Sequence, residues 1–221
     1  MPNDTLLLIM NPRSIPECID AIRDLRGIDK AWLSYYTELE LEQIIPTLID
    51  QLDYRRISII SDDTTPTQAA LDEVLELHDA LDEPDNASAC GWVNIDASCG
   101  LSTFHPQPLR GTGPSRDTYR FATLDDAHKI SNVQRTYFHA MTFHTMTREL
   151  WQRYPFATYN GCASDLHQCV RLQADNVPIY TTRNAYVAHV KEIRDQLDTA
   201  HHKRLLIGER APRITIEREH A

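Results

Sequence analysis

I-S-I-I-S-D-D-T-T-P-T-Q-A-A-L-D-E-V-L-E-L, from Ile57 to Leu77, carries an apolar strand into two adjacent carboxylates and then, within four residues, into a helix. Ile57, Ile59 and Ile60 have the unbroken apolar character of a strand covered on both faces. Ser61, Asp62 and Asp63 therefore fall at its carboxyl end, where open α/β sheets bind their ligands. Thr65 is placed to cap the next helix, Pro66 suits its first turn, and Leu71, Val74, Leu75 and Leu77 supply a core-facing stripe. Taken alone, the acidic pair fits two readings equally: ligands of a metal-bound phosphate, or acids that favour the positive end of a helix.

Upstream, the same pattern repeats. Leu6 to Met10 reads as a strand, and S-I-P-E at Ser14 to Glu17 has capping-box spacing with proline in the first turn. Cys18, Ile19, Ile22 and Leu25 give the helix that follows an apolar stripe, and Gly27 ends it. A second strand is expected near Ala31 to Tyr36. Leu41, Ile44, Ile45, Leu48, Ile49 and Leu52 fall at helical spacing, with Pro46 implying a late start or a kink. Successive strand-then-helix units predict a parallel sheet with right-handed crossovers. Asn11, Pro12 and Arg13 then leave the first strand at the edge that carries Asp62 and Asp63. A guanidinium there can grip a diphosphate through its planar fork of donors, although a lone loop arginine is more often simply solvated.

The second half differs in character. Residues 79–88 form an acidic surface turn, and a short strand around Cys90 to Ile95 adds to the sheet. Asp96 to Asp117, rich in Gly, Pro, Ser and Thr, is either a lid or an aperiodic surface loop. Tyr137 to Phe143 alternates like a strand, Thr147 to Tyr154 reads as helical, and Ser164 to Ala174 is another helix before a strand from Val177 to Val187. From Glu192 a polar helix leads into R-I-T-I-E-R-E, which fits an edge strand or a self-association segment.

Composition narrows the function classes. A chain of 221 residues with 42% hydrophobic content can bury one large core, so one α/β domain with appended segments is the simplest fit. No apolar run is long enough to cross a bilayer, and M-P-N-D-T lacks the basic start of a secretion signal, so a soluble cytoplasmic protein is expected. Five cysteines without close paired spacing argue against a disulfide framework or a structural zinc site. Cys162 and Cys169 are assigned to packing. A net charge of -10 repels nucleic acid on average, and Arg55–Arg56 is too small a basic cluster to offset it. Trp92, Tyr119, Tyr137 and Trp151 are either stacking platforms or, more commonly at such spacing, core. His201 and His202 read as solvated.

Three segments, taken in order, resemble the glycosyltransferases of the GT-A fold, which move a sugar from a nucleotide donor to an acceptor hydroxyl. S-D-D-T-T-P-T-Q-A-A-L is similar to that family's metal-binding D-x-D region. P-F-A-T-Y-N-G-C-A-S-D-L-H-Q-C-V-R-L-Q-A-D-N-V-P-I-Y is similar to the segment in which a proline-aromatic pair leads to an acidic motif opening a helix. A-Y-V-A-H-V-K is similar to the strand whose histidine completes the metal site. Together they span roughly residues 4–191, and the pattern is closest to small, divergent microbial or viral transferases. Two positions depart from the family: Ser61 stands where D-x-D has its first acid, and Ser164 where many inverting members have a glutamate. N-I-D at Asn94 to Asp96 is a rival D-x-D without a helix behind it.

The resemblance implies a GT-A-like catalytic domain over residues 1–191, with a nucleotide-sugar-binding half over 1–95, an acceptor half over 96–191, and a C-terminal helix and tail over 192–221. It implies Mn²⁺ or Mg²⁺ held by Asp63, Asp62 and His189, a donor contacted by Pro12, Arg13, Asp62, Asp63 and Lys191, and Asp165 as catalytic base. The chemistry agrees, because hard cations take carboxylate oxygens and an imidazole favours manganese. Outside the resemblance, His189 is a satisfied strand-end histidine and Asp165 an N-cap. The expected donor is a UDP-sugar or a related nucleotide-sugar. Acceptors include a saccharide, a protein side chain, a lipid or a modified base, and self-association through the C-terminal tail is a further expectation. The alternatives are a nucleotidyltransferase, which usually carries a glycine-rich loop after its first strand, and a receiver-like or nucleotide-binding module, which would place its acidic pair after the first strand.

Overall fold

The computed structural model describes residues 4–11, 13–34, 38–96, 101–102, 123–157, 164–190 and 213–219. Pro12, Lys191, Tyr119, Cys162, most of the 96–117 loop and the helix expected after Glu192 lie outside them. The first strand, β1 (Thr5–Asn11), takes parallel partners on both sides, β2 (Asp29–Ser34) and β3 (Arg56–Ser61). Their connections are α1 (Pro16–Arg23) and α2 (Glu38–Gln51). Beyond β3 come a two-residue strand, β4 (Thr64–Thr65), then α3 (Gln68–Asp79), β5 (Ser88–Trp92) and a small hairpin of β6 (Asn94–Asp96) and β7 (Leu101–Ser102). A single helical turn, α4 (Leu124–Ala127), precedes β8 (Gln134–Thr136), β9 (Phe143–Thr147), α5 (Arg148–Arg153) and α6 (Ser164–Ala174). The chain then completes its sheets with β10 (Ile179–Tyr186), β11 (Ala188–His189) and β12 (Arg213–Glu217).

The main sheet has eight strands in the order β12-β2-β1-β3-β9-β5-β10-β8. Following the pairings, β2, β1, β3, β5 and β10 point one way and β12, β9 and β8 the other. The sheet is therefore mostly parallel, and helices cover both faces. Leu6, Leu8 and Met10 of β1 join Ile57 and Ile59 in a core against α2, α5 and α6, while Leu7, Ile9 and Ile60 pack with residues of α1 and α3. The unbroken apolar runs follow from this double burial, since both side-chain sets of a strand face helices. Each such side chain contributes about 1.5–3 kcal/mol by leaving water.

Several local expectations are corrected. Ser14 does not cap α1: Ile15 occupies the N-cap position without a side-chain bond, and Ser14 sits at φ 57, in the left-handed region. The α3 cap is Thr67, whose side chain accepts from the Ala70 amide at 3.1 Å, because Thr64 and Thr65 are taken into pairing with β11. The α2 helix does not start late: it runs from Glu38 through Pro46 to Gln51, held by buried Leu41, Ile45, Leu48 and Ile49. Residues 137–142 are irregular, with strand pairing on either side of them in β8 and β9. Gly91 is where the sheet needs a bare backbone, since a Cβ there would lie 2.7 Å from both the Ala185 carbonyl oxygen and a Phe143 ring carbon.

Two fully buried histidines lie beneath α6. His139 and His144 stack at 3.9 Å. The His139 ring is bonded to Ser88 Oγ and Gln168 Oε1, each at 2.9 Å, and His144 Nδ1 to the Ala140 carbonyl at 2.9 Å. Burial pushes His139 down to about 4, partly offset by Gln168, and pushes His144 well below the ordinary imidazole range. Buried His78 is lowered too, chiefly by desolvation. In all three the fold favours the neutral ring, whereas the unfolded chain takes up protons near pH 6.5. Their contribution to stability is complete above that value and declines as pH falls below it, for His139 down to about 4, by up to about 1.4 kcal/mol per pH unit for each. Urea midpoints should drop steeply from pH 7 to pH 5, and His139→Gln should flatten the slope. An unchanged midpoint across that window would contradict this account.

Candidate active site

β1 sends its connection to β2 on one side while β3 lies on the other, so the strand order reverses at the β1/β3 crevice. Ligands of open α/β sheets bind outside the carboxyl ends of the strands at such a point. The Asp62 amide donates to the Met10 carbonyl at 2.9 Å, joining the two strand ends across the crevice. Asp62 itself is fully buried. Its Oδ2 accepts from the Arg13 and Ser14 amides at 2.7 and 2.6 Å, and its Oδ1 accepts from Arg13 Nη1 at 2.6 Å. The left-handed turn at Ser14 is what aims the second amide at this carboxylate; such a conformation persists only where its surroundings over-determine it. Burial pushes the Asp62 carboxyl up to about 6, against the Arg13 guanidinium and the two amides, which pull it down.

Asp63 points to a different partner. Its Oδ2 lies 3.1 Å from His189 Nε2 and 3.7 Å from Arg13 Nη2. The contact spans 126 residues of sequence and is built by backbone pairing: His189 lies opposite Thr64 in the antiparallel β4–β11 ribbon, and the Val190 amide donates to the Asp63 carbonyl at 2.8 Å. Thr64 Oγ1 donates to the Ser61 carbonyl at 2.7 Å, closing the turn that presents the acidic pair. Both side chains are almost wholly enclosed, at 2% and 4% exposure.

Asp165 opens α6 and is held by backbone. Its Oδ2 accepts from the Met141 amide at 3.2 Å and its Oδ1 from the Leu166 amide at 2.8 Å. Met141 adjoins Thr142, whose carbonyl accepts from the Ser61 amide at 3.5 Å. Since β9 is antiparallel to β3, its start lies at the strand end that carries Asp62 and Asp63. Arg13, Asp62, Asp63, Asp165 and His189 thus share one edge of the sheet. Among the described residues no three His, Cys, Asp or Glu side chains converge as a metal cluster.

The aromatic candidates separate. Trp151 is core: it is fully buried, stacks on His144 at 5.2 Å and donates from Nε1 to the Ile57 carbonyl at 3.0 Å. Tyr137 is partly buried against the same core. Trp92 ends β5, with its ring 4.8 Å from Tyr186 at the end of β10. Cys169 packs, its thiol bonded to the backbone of His139 and its pKa raised well above the ordinary value by burial. The amides of Ser14 and Met141, which orient Asp62 and Asp165, had no signal in the sequence, because a backbone N–H belongs to every residue type except proline.

No protein-family model matches the sequence, and no curated protein matches it. Solved structures do resemble it. A197 from STIV superimposes with a TM-score of 0.52 at 14% identity, covering 80% of each chain. CMP:2-keto-3-deoxy-manno-octonic acid synthetase complexed with CTP gives 0.49 at 11% identity, over 93% of this chain and 99% of that one. UDP-glucose pyrophosphorylase complexed with UDP-glucose gives 0.42 at 10% identity, over 79% and 66%. At such identity the first likeness establishes fold alone, and the other two fall below the level that establishes even this. The fold is α/β and GT-A-like, with a mostly parallel central sheet between helical layers. Among the described residues no helix is long and apolar enough to cross a membrane.

Proposed function

We propose that this chain is a metal-dependent glycosyltransferase that moves a sugar from a nucleotide-diphosphate donor, first of all a UDP-sugar, to an acceptor hydroxyl with inversion. The observation that carries the reading is the Asp63–His189 contact at the β1/β3 switch point. A carboxylate oxygen and an imidazole nitrogen, side by side and sheltered from solvent, are donor types that Mn²⁺ takes, and Mg²⁺ is commonly held by one or two carboxylates plus substrate phosphates. The fit therefore rests on two protein ligands, Asp63 and His189. Asp62, expected from sequence to share this task, has both oxygens engaged by Arg13 and Ser14 and serves as the clamp on the loop. When bound, the cation neutralises charge that builds on the diphosphate leaving group.

The chain's own groups have distinct tasks. Arg13, anchored by Asp62 and lying 3.7 Å from Asp63, is assigned with Pro12 and Lys191 to donor contacts. Asp165, held through its backbone bonds, takes the proton from the acceptor hydroxyl as that oxygen attacks the anomeric carbon from the face opposite the diphosphate. The bond from the anomeric carbon to the phosphate oxygen breaks, and the nucleoside diphosphate carries away its electron pair. A thermal-shift panel of nucleoside diphosphates with and without Mn²⁺ tests the donor half. One base should stabilise the protein in a Mn²⁺-dependent way, whereas a flat response across the panel would refute a donor site. Two assays test the reaction: release of nucleoside diphosphate from a nucleotide-sugar supports sugar transfer, whereas release of pyrophosphate from a nucleoside triphosphate and a sugar phosphate would mark a nucleotidyltransferase instead.

A further inference from the structure

The β12 strand forms an outer edge of the eight-stranded sheet; among the described residues it pairs with β2 and no strand pairs with its far side. All five of its residues are exposed. Ile214 and Ile216, each 40% exposed, are two of the four large apolar side chains left in solvent among the described residues. The strand is nonetheless firmly seated, since the Glu219 carboxylate accepts from the Ile28 amide at 2.9 Å and the Glu219 amide donates to Asp29 Oδ1 at 2.8 Å. An exposed strand edge of this kind is a ready template for another strand, and proteins that must avoid such pairing blunt the edge with central charges, proline or a cover. In R-I-T-I-E the only charges stand at the two ends, and they have opposite signs.

We propose that β12 is the joint of a symmetric dimer, pairing antiparallel with β12 of a second copy across a twofold axis through Thr215. That register is self-complementary on both faces. Arg213 meets the partner subunit's Glu217, Thr215 meets the partner subunit's Thr215, and the symmetric ion pair repeats on the far side. On the other face Ile214 meets the partner subunit's Ile216, so four isoleucines cluster where each was half-exposed. They stand in register with Leu33 and Ala31, whose side chains belong to the core under α2, so the pairing prolongs an existing apolar layer. A symmetric contact of one patch with itself is the commonest form of protein dimer. Five-residue strands alone bury less than the roughly 1,200 Å² at which stable interfaces begin, so the dimer is a weak one that forms as concentration rises.

Sedimentation velocity of the full chain over a wide concentration range tests this, with thermal melts confirming that each variant is folded. The wild type should move from monomer towards twice the monomer mass. Arg213→Glu and Glu217→Arg each turn two attractive cross-strand pairs into repulsive ones and should weaken the dimer about tenfold. An equimolar mixture of these two variants should regain dimer mass, because every glutamate then faces an arginine. Glu217 also stands opposite Lys30 within its own sheet, so Ile214→Lys, which leaves that neighbour alone, provides a second weakening. A wild type that stays monomeric at every concentration, or a dimer that the single variants leave intact and their mixture does not favour, overturns the proposal.

Discussion

Asp63→Ala should erase the Mn²⁺-dependent part of the thermal stabilisation produced by a matching nucleoside diphosphate. A ligand present at a hundred times its Kd adds about 2.7 kcal/mol, which for a chain of this size is roughly 5–10 °C in melting temperature. The variant should show little of that rise with Mn²⁺ and the same small rise without it. His189→Ala should behave alike, because the two side chains meet at 3.1 Å and form one pair of ligands. Asp62→Ala should differ in kind. It removes the carboxylate that holds Arg13 Nη1 at 2.6 Å and leaves the guanidinium, only 11% exposed, with Asp63 at the longer distance of 3.7 Å. Loss of one member of a buried ion pair typically costs about 3–5 kcal/mol, so this protein should melt early even with no ligand present. If the Asp62 and Asp63 variants prove indistinguishable, with equal loss of stability and of metal response, the division between clamp and ligand fails.

Asp165→Asn is expected to cut turnover by about 10²–10⁴-fold while leaving donor affinity unchanged, the usual contribution of a positioned proton acceptor. Asparagine keeps an oxygen that can accept from the Met141 amide, so the start of α6 should stay in place. What it loses is the capacity to accept a proton from the acceptor hydroxyl. Measuring kcat beside nucleotide affinity separates the roles: kcat should fall and affinity should hold. Full turnover in this variant would remove Asp165 from the chemistry, and a parallel loss of binding would make it a structural N-cap.

Most of the central framework could be read in advance because burial on two faces leaves a strong trace. Leu6 to Met10 and Ile57 to Ile60 are apolar without interruption, and α6 begins and ends where its periodicity implied. The antiparallel β9 between β3 and β5 escaped notice, since F-H-T-M-T alternates polar and apolar residues although every one of them is buried. There Thr145 is bonded to Ser58 of the neighbouring strand at 2.8 Å and His144 Nδ1 to a carbonyl, partners that are distant in sequence or invisible in it. The caps were misplaced for a related reason. Ser14 and Thr65 have the right chemistry, but tertiary bonds claimed their backbones first, for Asp62 in one case and for β11 in the other. Asp62 and Asp63 were legible as a pair. Their separate duties were not, because adjacent residues in a turn point to different neighbours that only the folded chain supplies.

The two-residue ribbon that lays His189 beside Asp63 also dates the birth of the centre during synthesis. A nascent chain that has emerged as far as α6 already holds Arg13, Asp62, Asp63 and Asp165, yet it lacks His189 until β10 has threaded into the sheet and β11 has followed it. Under the proposed ligand set, a growing polypeptide stays metal-poor until its sheet is nearly finished. Manganese uptake by ribosome-stalled fragments of increasing length would then switch on in a single step once β11 has emerged.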